Sequence, residues 1–214
     1  MTKENQKATN ITWHEGHVKR KDREKLLDQS GCTVWFTGLP SSGKSTAAFT
    51  LEHTLAKKDR LAYVLDGDNI RFGLNRNLGF SPEDRAENIR RIGEVALLFA
   101  DAGIITVTSF ISPYREDRDL VRQRHRENSI PFIEVYLDTP LEVCEQRDPK
   151  GLFKKARQGL ITGFTGIDAD YEEPLRPEIR IDASNLAPGR IVENILEYLF
   201  SHSLLQTIPV YRTA

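Results

Sequence analysis

The run Gly38-Leu39-Pro40-Ser41-Ser42-Gly43-Lys44-Ser45-Thr46 has the spacing of a phosphate-cradling P-loop. Glycines at such positions let backbone N–H groups turn inward around phosphates, and the helix that follows adds its positive end. In a loop of this kind Lys44 reaches the β- and γ-phosphates of a nucleoside triphosphate, and Ser45 ligates Mg²⁺. The remaining chemistry-bearing residues are more scattered. Asp66 and Asp68 stand in Asp66-Gly67-Asp68-Asn69, directly after an apolar run, and Arg71, Arg85, Asn88 and Phe80 follow within about one helix length. Carboxylates at the carboxyl end of a buried strand belong at the ligand edge of an α/β sheet.

The elements that must hold these groups alternate. Thr33-Val34-Trp35-Phe36-Thr37 reads as a buried strand ahead of the P-loop, and Ala47, Ala48, Leu51 and Leu55 recur at helical spacing behind it. Further strands are expected at 61–65, 104–110, 132–137 and, briefly, 179–181. Ser81-Pro82-Glu83-Asp84 marks a helix start, with Ser as N-cap, Pro at the first position and acids in the first turn; the helix then runs to about Gly103. Thr139-Pro140 opens a helix with Leu141, Val143 and Cys144, and a last helix spans about Pro188 to Leu199. Arg115 to Arg126 alternates charge and reads as a solvated helix. Strands alternating with helices predict an α/β fold, a three-layer P-loop NTPase of the kinase type with a parallel sheet and helices on both faces.

At 214 residues the chain suits one α/β domain, taken as 31–214, behind an N-terminal extension over 1–30 that is partly helical, with Leu26 and Leu27 as its apolar handle and a polar, mobile start from Thr2 to Thr12. Residues of about 149–173 break the layered pattern: a basic run from Lys150 to Arg157 and then a Gly- and Thr-rich stretch through Gly163-Phe164-Thr165-Gly166. This segment is expected to be a lid over phosphates. A formal net charge of −1 gives no global field for nucleic acid or an anionic membrane. No apolar run is long enough to span a bilayer and the first residues lack a secretory core, so a cytoplasmic location is expected. Cys32 and Cys144 are isolated and expected in or near the core; His14 and His17 are read as a chance pair in a polar segment.

A P-loop alone does not separate kinases from other nucleotide users. The GTPase tetrapeptide Asn-Lys-x-Asp is absent. Two carboxylates after the second strand, an Arg-rich helix start and a basic lid suit a kinase acting on an anionic small molecule; another small-molecule P-loop kinase and a nucleotide-binding regulator are the competing readings. The strings Asp66-Gly67-Asp68-Asn69-Ile70-Arg71, Phe80-Ser81-Pro82-Glu83-Asp84-Arg85-Ala86-Glu87-Asn88, Ser109-Phe110-Ile111-Ser112-Pro113-Tyr114-Arg115, Asp148-Pro149-Lys150-Gly151-Leu152 and Gly163-Phe164-Thr165-Gly166-Ile167-Asp168 then resemble the adenylylsulfate kinase family in order and over nearly the whole chain.

The resemblance implies a five-stranded parallel sheet, generally a dimer, and transfer of the γ-phosphoryl of ATP to the 3′-hydroxyl of adenosine 5′-phosphosulfate (APS). The products would be 3′-phosphoadenosine 5′-phosphosulfate (PAPS) and ADP, in sulfate assimilation. It implies that Gly38 to Ser45 hold ATP with Thr46 supporting the helix start, and that Asp68, Arg71, Phe80, Arg85 and Asn88 form the acceptor site with Ile111, Ser112, Lys150, Gly163 and Phe164. Chemistry supports several of these. Arg71 and Arg85 offer planar charged forks to a phosphosulfate, and Phe80 and Phe164 offer faces to adenine. Asp66 or Asp68 is the base or the Mg²⁺ partner, with both assignments open. Ser112 is either a phosphoserine relay, as described for bacterial members, or a hydrogen-bonding group for the acceptor, the reading preferred here because no adjacent histidine offers a base. Coupling to an ATP sulfurylase is left open.

Overall fold

The computed structural model describes residues 8–205. Of the expected mobile start, residues 2–7 lie outside the described residues, and residues 8–12 are exposed and neither helical nor strand. In chain order the elements are α1 (Arg20–Leu27), β1 (Cys32–Thr37), α2 (Lys44–Ala56), β2 (Ala62–Asp66), α3 (Gly67–Arg71), α4 (Pro82–Asp101), β3 (Ile105–Ser109), α5 (Arg115–Glu127), β4 (Phe132–Leu137), α6 (Leu141–Arg147), α7 (Leu152–Arg157), β5 (Ile179–Ile181) and α8 (Pro188–Ser201).

All five strands are parallel, in the order β2-β3-β1-β4-β5. β1, β3 and β4 are buried along their whole length, as expected of strands covered on both faces. Side chains of β1 alternate between two cores. Val34 and Phe36 join Ala47, Ala48, Leu51 and Leu55 of α2 and Ile191, Val192, Ile195 and Leu199 of α8. Trp35 faces the other way, into a cluster with Ile89, Ile92 and Ala96 of α4, Val121 of α5 and Phe132. Cys32 and Cys144 are buried free thiols.

This order puts β1 at the point where connections diverge, because β1 leads to β2 on one side while β3 crosses to β4 on the other. Ligands of open α/β sheets bind beyond the carboxyl ends of strands at such a switch point. The P-loop leaves the end of β1, Asp66 the end of β2, and Ile111-Ser112-Pro113 follow β3.

Two expectations need correction. α5 is not simply solvated: Arg118, Val121 and His125 are buried. His125 pairs its ring nitrogens with Thr33 Oγ1 (2.9 Å) and the Val121 carbonyl (2.8 Å), and burial lowers its pKa, which keeps the ring neutral near pH 7. In α1, Leu26 is 83% exposed. The helix is held by charge instead, Arg20 and Arg23 both pairing with Asp101 at 2.9 and 2.8 Å, while Leu27 lies against Gly103. Gln29 then bonds the carbonyls of Leu61 and Gly103, fastening the segment ahead of β1.

Candidate active site

The P-loop closes on itself through its lysine. Lys44 Nζ donates to the carbonyls of Gly38 (2.9 Å) and Leu39 (2.6 Å) and to Ser42 Oγ (3.3 Å). Gly38 has φ 147°, and a Cβ there would stand 2.7 Å from the Leu137 carbonyl; Gly43, which caps α2, has φ 103°. Both positions therefore need glycine. Burial lowers the Lys44 pKa to about 8, with Asp66 opposing the shift. An ammonium so poorly solvated is stabilised by an incoming polyphosphate.

Asp66 is the N-cap of α3. Its carboxylate accepts from Ser45 Oγ (2.8 Å) and from the N–H groups of Asp68 (3.0 Å) and Asn69 (3.4 Å), and Ser109 Oγ lies 3.1 Å from Ser45 Oγ. These are hard oxygen donors gathered at the P-loop helix, the type of ligand Mg²⁺ takes when substrate phosphates supply the rest. Among the described residues no group of three or more His, Cys, Asp or Glu could hold a metal by itself. Asp68 differs from Asp66. Its side chain is 65% exposed and pairs with Lys150.

A cavity of about 730 Å³ opens above these groups. Pro40 through Thr46 line it, as do Asp66 and Asp68. Arg71, Phe80, Arg85 and Asn88 meet Ile111, Ser112, Lys150 and Phe164 in the same space. The predicted residues Gly38, Leu39 and Gly163 do not line it; they act through their carbonyls, the first two on Lys44 and the third on Arg85. Arg85 is a brace as well as a charge: its guanidinium donates to the Phe80 carbonyl (2.9 Å), Thr165 Oγ1 (3.0 Å) and the Gly163 carbonyl (2.6 Å). Arg71 lies over the Phe80 ring at 4.3 Å and donates to the carbonyls of Leu78 and Gly79. Burial and the nearby Arg85 lower the Arg71 pKa. Arg85 lies over the same Phe80 ring at 5.9 Å, and two guanidinium groups gathered on one ring suit an anionic ligand. Asn88 is fixed by Asn75 Nδ2 donating to its Oδ1 (2.9 Å), which leaves its own amide N–H groups for a ligand. Phe164 meets Phe153 of α7 edge to face, at 4.9 Å between ring centroids.

Ser112 is 2% exposed with φ 41°. Its Oγ accepts from the Trp35 indole N–H (3.2 Å), so its own proton is free for another acceptor. None of its hydrogen bonds goes to a carboxylate or histidine.

Arg147, Ala183, Leu186, Pro188 and Ile191 form a further wall of the cavity that no motif in the sequence marks. Arg147 at the end of α6 donates to the carbonyls of Ala183 (2.6 Å) and Ser184 (2.7 Å), tying the β4 side of the sheet to the segment after β5. The only signal was a basic residue in a last helical turn, which is common for other reasons.

A central-strand P-loop with Ser45 and Asp66 hydrogen-bonded at its helix, sharing one cavity with Arg71, Arg85 and the rings of Phe80 and Phe164, defines a small-molecule P-loop kinase. The chain belongs to the adenylyl-sulfate kinase family: the family model described as adenylylsulphate kinase matches residues 30–182. It is 55% identical over 201 residues to the adenylyl-sulfate kinase of Clostridium acetobutylicum, covering 94% of this chain and 99% of that one. With adenylyl-sulfate kinase 1, chloroplastic, of Arabidopsis thaliana it shares 56% identity over 200 residues, 93% of this chain and 72% of the relative. The structure of the Mycobacterium tuberculosis APS kinase in complex with AMPPNP and APS superposes with a TM-score of 0.78 at 49% identity, over 80% of this chain and 99% of that one. The chain is an ATP-dependent adenylyl-sulfate kinase, forming PAPS from APS and ATP. No helix among the described residues is long and apolar enough to cross a membrane.

Proposed function

We propose that the two recesses of the cavity divide the substrates, with ATP on the P-loop and its base against Arg147, Leu186 and Pro188, and APS between Phe80 and Phe164 with its phosphosulfate toward Arg71 and Arg85. The observation that carries this reading is that α4 and the segment entering α8, on opposite faces of the sheet, both line one continuous cavity with the P-loop. Asp68 is assigned to orient and deprotonate the acceptor 3′-hydroxyl, because it faces the cavity while the carboxylate of Asp66 is occupied by Ser45 and the α3 backbone. For Asp68 to act, Lys150 must leave it and move to substrate charge. Ser45 and Asp66 would hold Mg²⁺ with the ATP phosphates; the ion supplies charge neutralisation on the transferred phosphoryl. Lys44 does the same through its ammonium.

Ser112 is read as a hydrogen-bonding group for APS. Trp35 fixes its oxygen and no base stands by to make it a nucleophile. Residues of about 149–173 serve as the lid, joined to α4 through Arg85. The resemblance to the family supports a homodimer and a cytoplasmic site of action as part of the same reading.

Arg85→Ala tests the division. It removes a charge facing the acceptor and both ties to the lid loop, so KM for APS rises by about 30-fold or more while KM for ATP changes by less than about twofold. Initial-rate kinetics with each substrate varied in turn check this; equal loss for both substrates contradicts the assignment.

A further inference from the structure

Behind the acceptor recess lies a buried ion pair that the reaction as described does not use. Arg118 and Glu134 have side chains 3% and 7% exposed and meet at 2.8 Å through Arg118 Nε. The other two nitrogens of the same guanidinium reach different segments. Nη1 donates to the Ser112 carbonyl and Nη2 to the Glu172 carbonyl, both at 2.6 Å. Glu172 in turn bonds back to the acceptor loop, its N–H donating to the Pro113 carbonyl (2.9 Å) and its carboxylate accepting from the Arg115 N–H (2.8 Å). Thr37, at the end of β1, completes the arrangement by donating to the Ile111 carbonyl (2.7 Å) and contacting the Tyr171 hydroxyl (2.9 Å).

Three facts give this a function beyond stability. Ser112 holds φ 41°, a left-handed conformation that a non-glycine residue keeps only when its surroundings impose it. Each acceptor takes a different nitrogen of the guanidinium, so the planar fork spans a carboxylate and two carbonyls of separate segments, a wider reach than the single nitrogen of a lysine offers. The two carbonyls belong to the loop on which Ser112 faces the cavity and to the segment that ends the lid. Glu134 is itself oriented, its second oxygen accepting from Arg122 Nη2 (3.1 Å) and its N–H donating to Glu178 (2.7 Å).

We propose that Arg118, aimed by Glu134, is a positioning residue for APS: it sets the Ser112 turn and locks the end of the lid segment to it, so that acceptor loop and lid share one geometry. This rests on APS standing against Ser112 and Phe80. Arg118 does not line the cavity and acts through the Ser112 and Glu172 carbonyls, so its effect falls on the acceptor and not on ATP.

The test uses two variants, because an unpaired buried charge can unfold a protein. Arg118→Met combined with Glu134→Leu removes both charges at similar volume, whereas Arg118→Lys keeps the ion pair but cannot span both carbonyls. In each, KM for APS rises about tenfold, KM for ATP stays within about twofold, and thermal melting shows a folded protein. Calorimetric titration of APS into the AMPPNP-loaded enzyme shows the same weakening. Wild-type KM for APS in either folded variant overturns the proposal, as does an equal rise for ATP. Phe80→Ala serves as the control for the acceptor site. A normal KM for APS in that variant refutes the placement of APS and the proposal with it. A raised KM there beside normal Arg118 variants refutes the positioning role alone.

Discussion

Replacing Lys44 by alanine lowers kcat by about 10³-fold, the loss typical of removing one preorganised donor from charge that develops in the transition state. In the reading proposed above the ammonium neutralises the phosphoryl oxygens as they transfer, and the structure holds it at the P-loop with three oxygens around it. Single-turnover rates at saturating ATP and APS measure the effect apart from binding, with near-UV circular dichroism to show an intact fold.

A pH dependence follows from the same side chain. In the free enzyme Lys44 has its pKa lowered to about 8, so above that pH it loses its charge before ATP arrives. Bound polyphosphate favours the ammonium and raises the pKa, so the complex keeps the proton to higher pH. kcat/KM for ATP therefore falls above about pH 8, whereas kcat, which reports the loaded enzyme, holds level further into the alkaline range. Titrating ATP at pH 8.5 in buffers of different ionisation enthalpy, a value chosen just above the Lys44 pKa of about 8, shows net proton uptake. Proton release or no exchange contradicts the assignment.

Asp66→Asn has the second large effect. One oxygen of the carboxylate accepts from Ser45 while the other caps α3, so the amide both lowers the charge at the proposed Mg²⁺ site and presents an N–H where an acceptor is needed. kcat falls by about 10²-fold or more, and the Mg²⁺ concentration for half-maximal rate rises, because a charged oxygen near the ion has been lost. A metal titration at fixed ATP checks it. Asp68→Asn, in contrast, lowers kcat with an unchanged Mg²⁺ requirement.

How far this site was legible depended on whether function used an ordinary residue in an ordinary place. The P-loop was readable because its chemistry fixes residue types at fixed spacing, and the strands because burial on both faces gives continuous apolar runs such as Thr33 to Thr37. The start of α4 was readable for the same reason, Ser81 accepting from the Asp84 N–H (3.2 Å) with Pro82 at the first position. Arg118 and His125 were not. They lie at i and i+7 with Val121 between them, the spacing of a buried face, yet two of those three side chains are polar and the helix around them is heavily charged. Periodicity read on hydrophobicity alone cannot see a face buried through a paired guanidinium and a neutral imidazole. Arg147 stayed invisible because its partners are backbone carbonyls more than thirty positions away. The separate roles proposed for Asp66 and Asp68 needed the fold as well: two carboxylates two residues apart look alike until one is seen capping α3 and bound to Ser45 and the other exposed and paired with Lys150.

The measurement that bears most directly on the account is phosphoryl transfer from Mg-ATP to APS, with AMP, CMP and gluconate offered in parallel and each product identified by mass. Turnover is expected with APS alone, with one phosphoryl added at the 3′ position and one ADP released per product. Comparable turnover with AMP, CMP or gluconate, or ADP release with no phosphorylated APS, would contradict it.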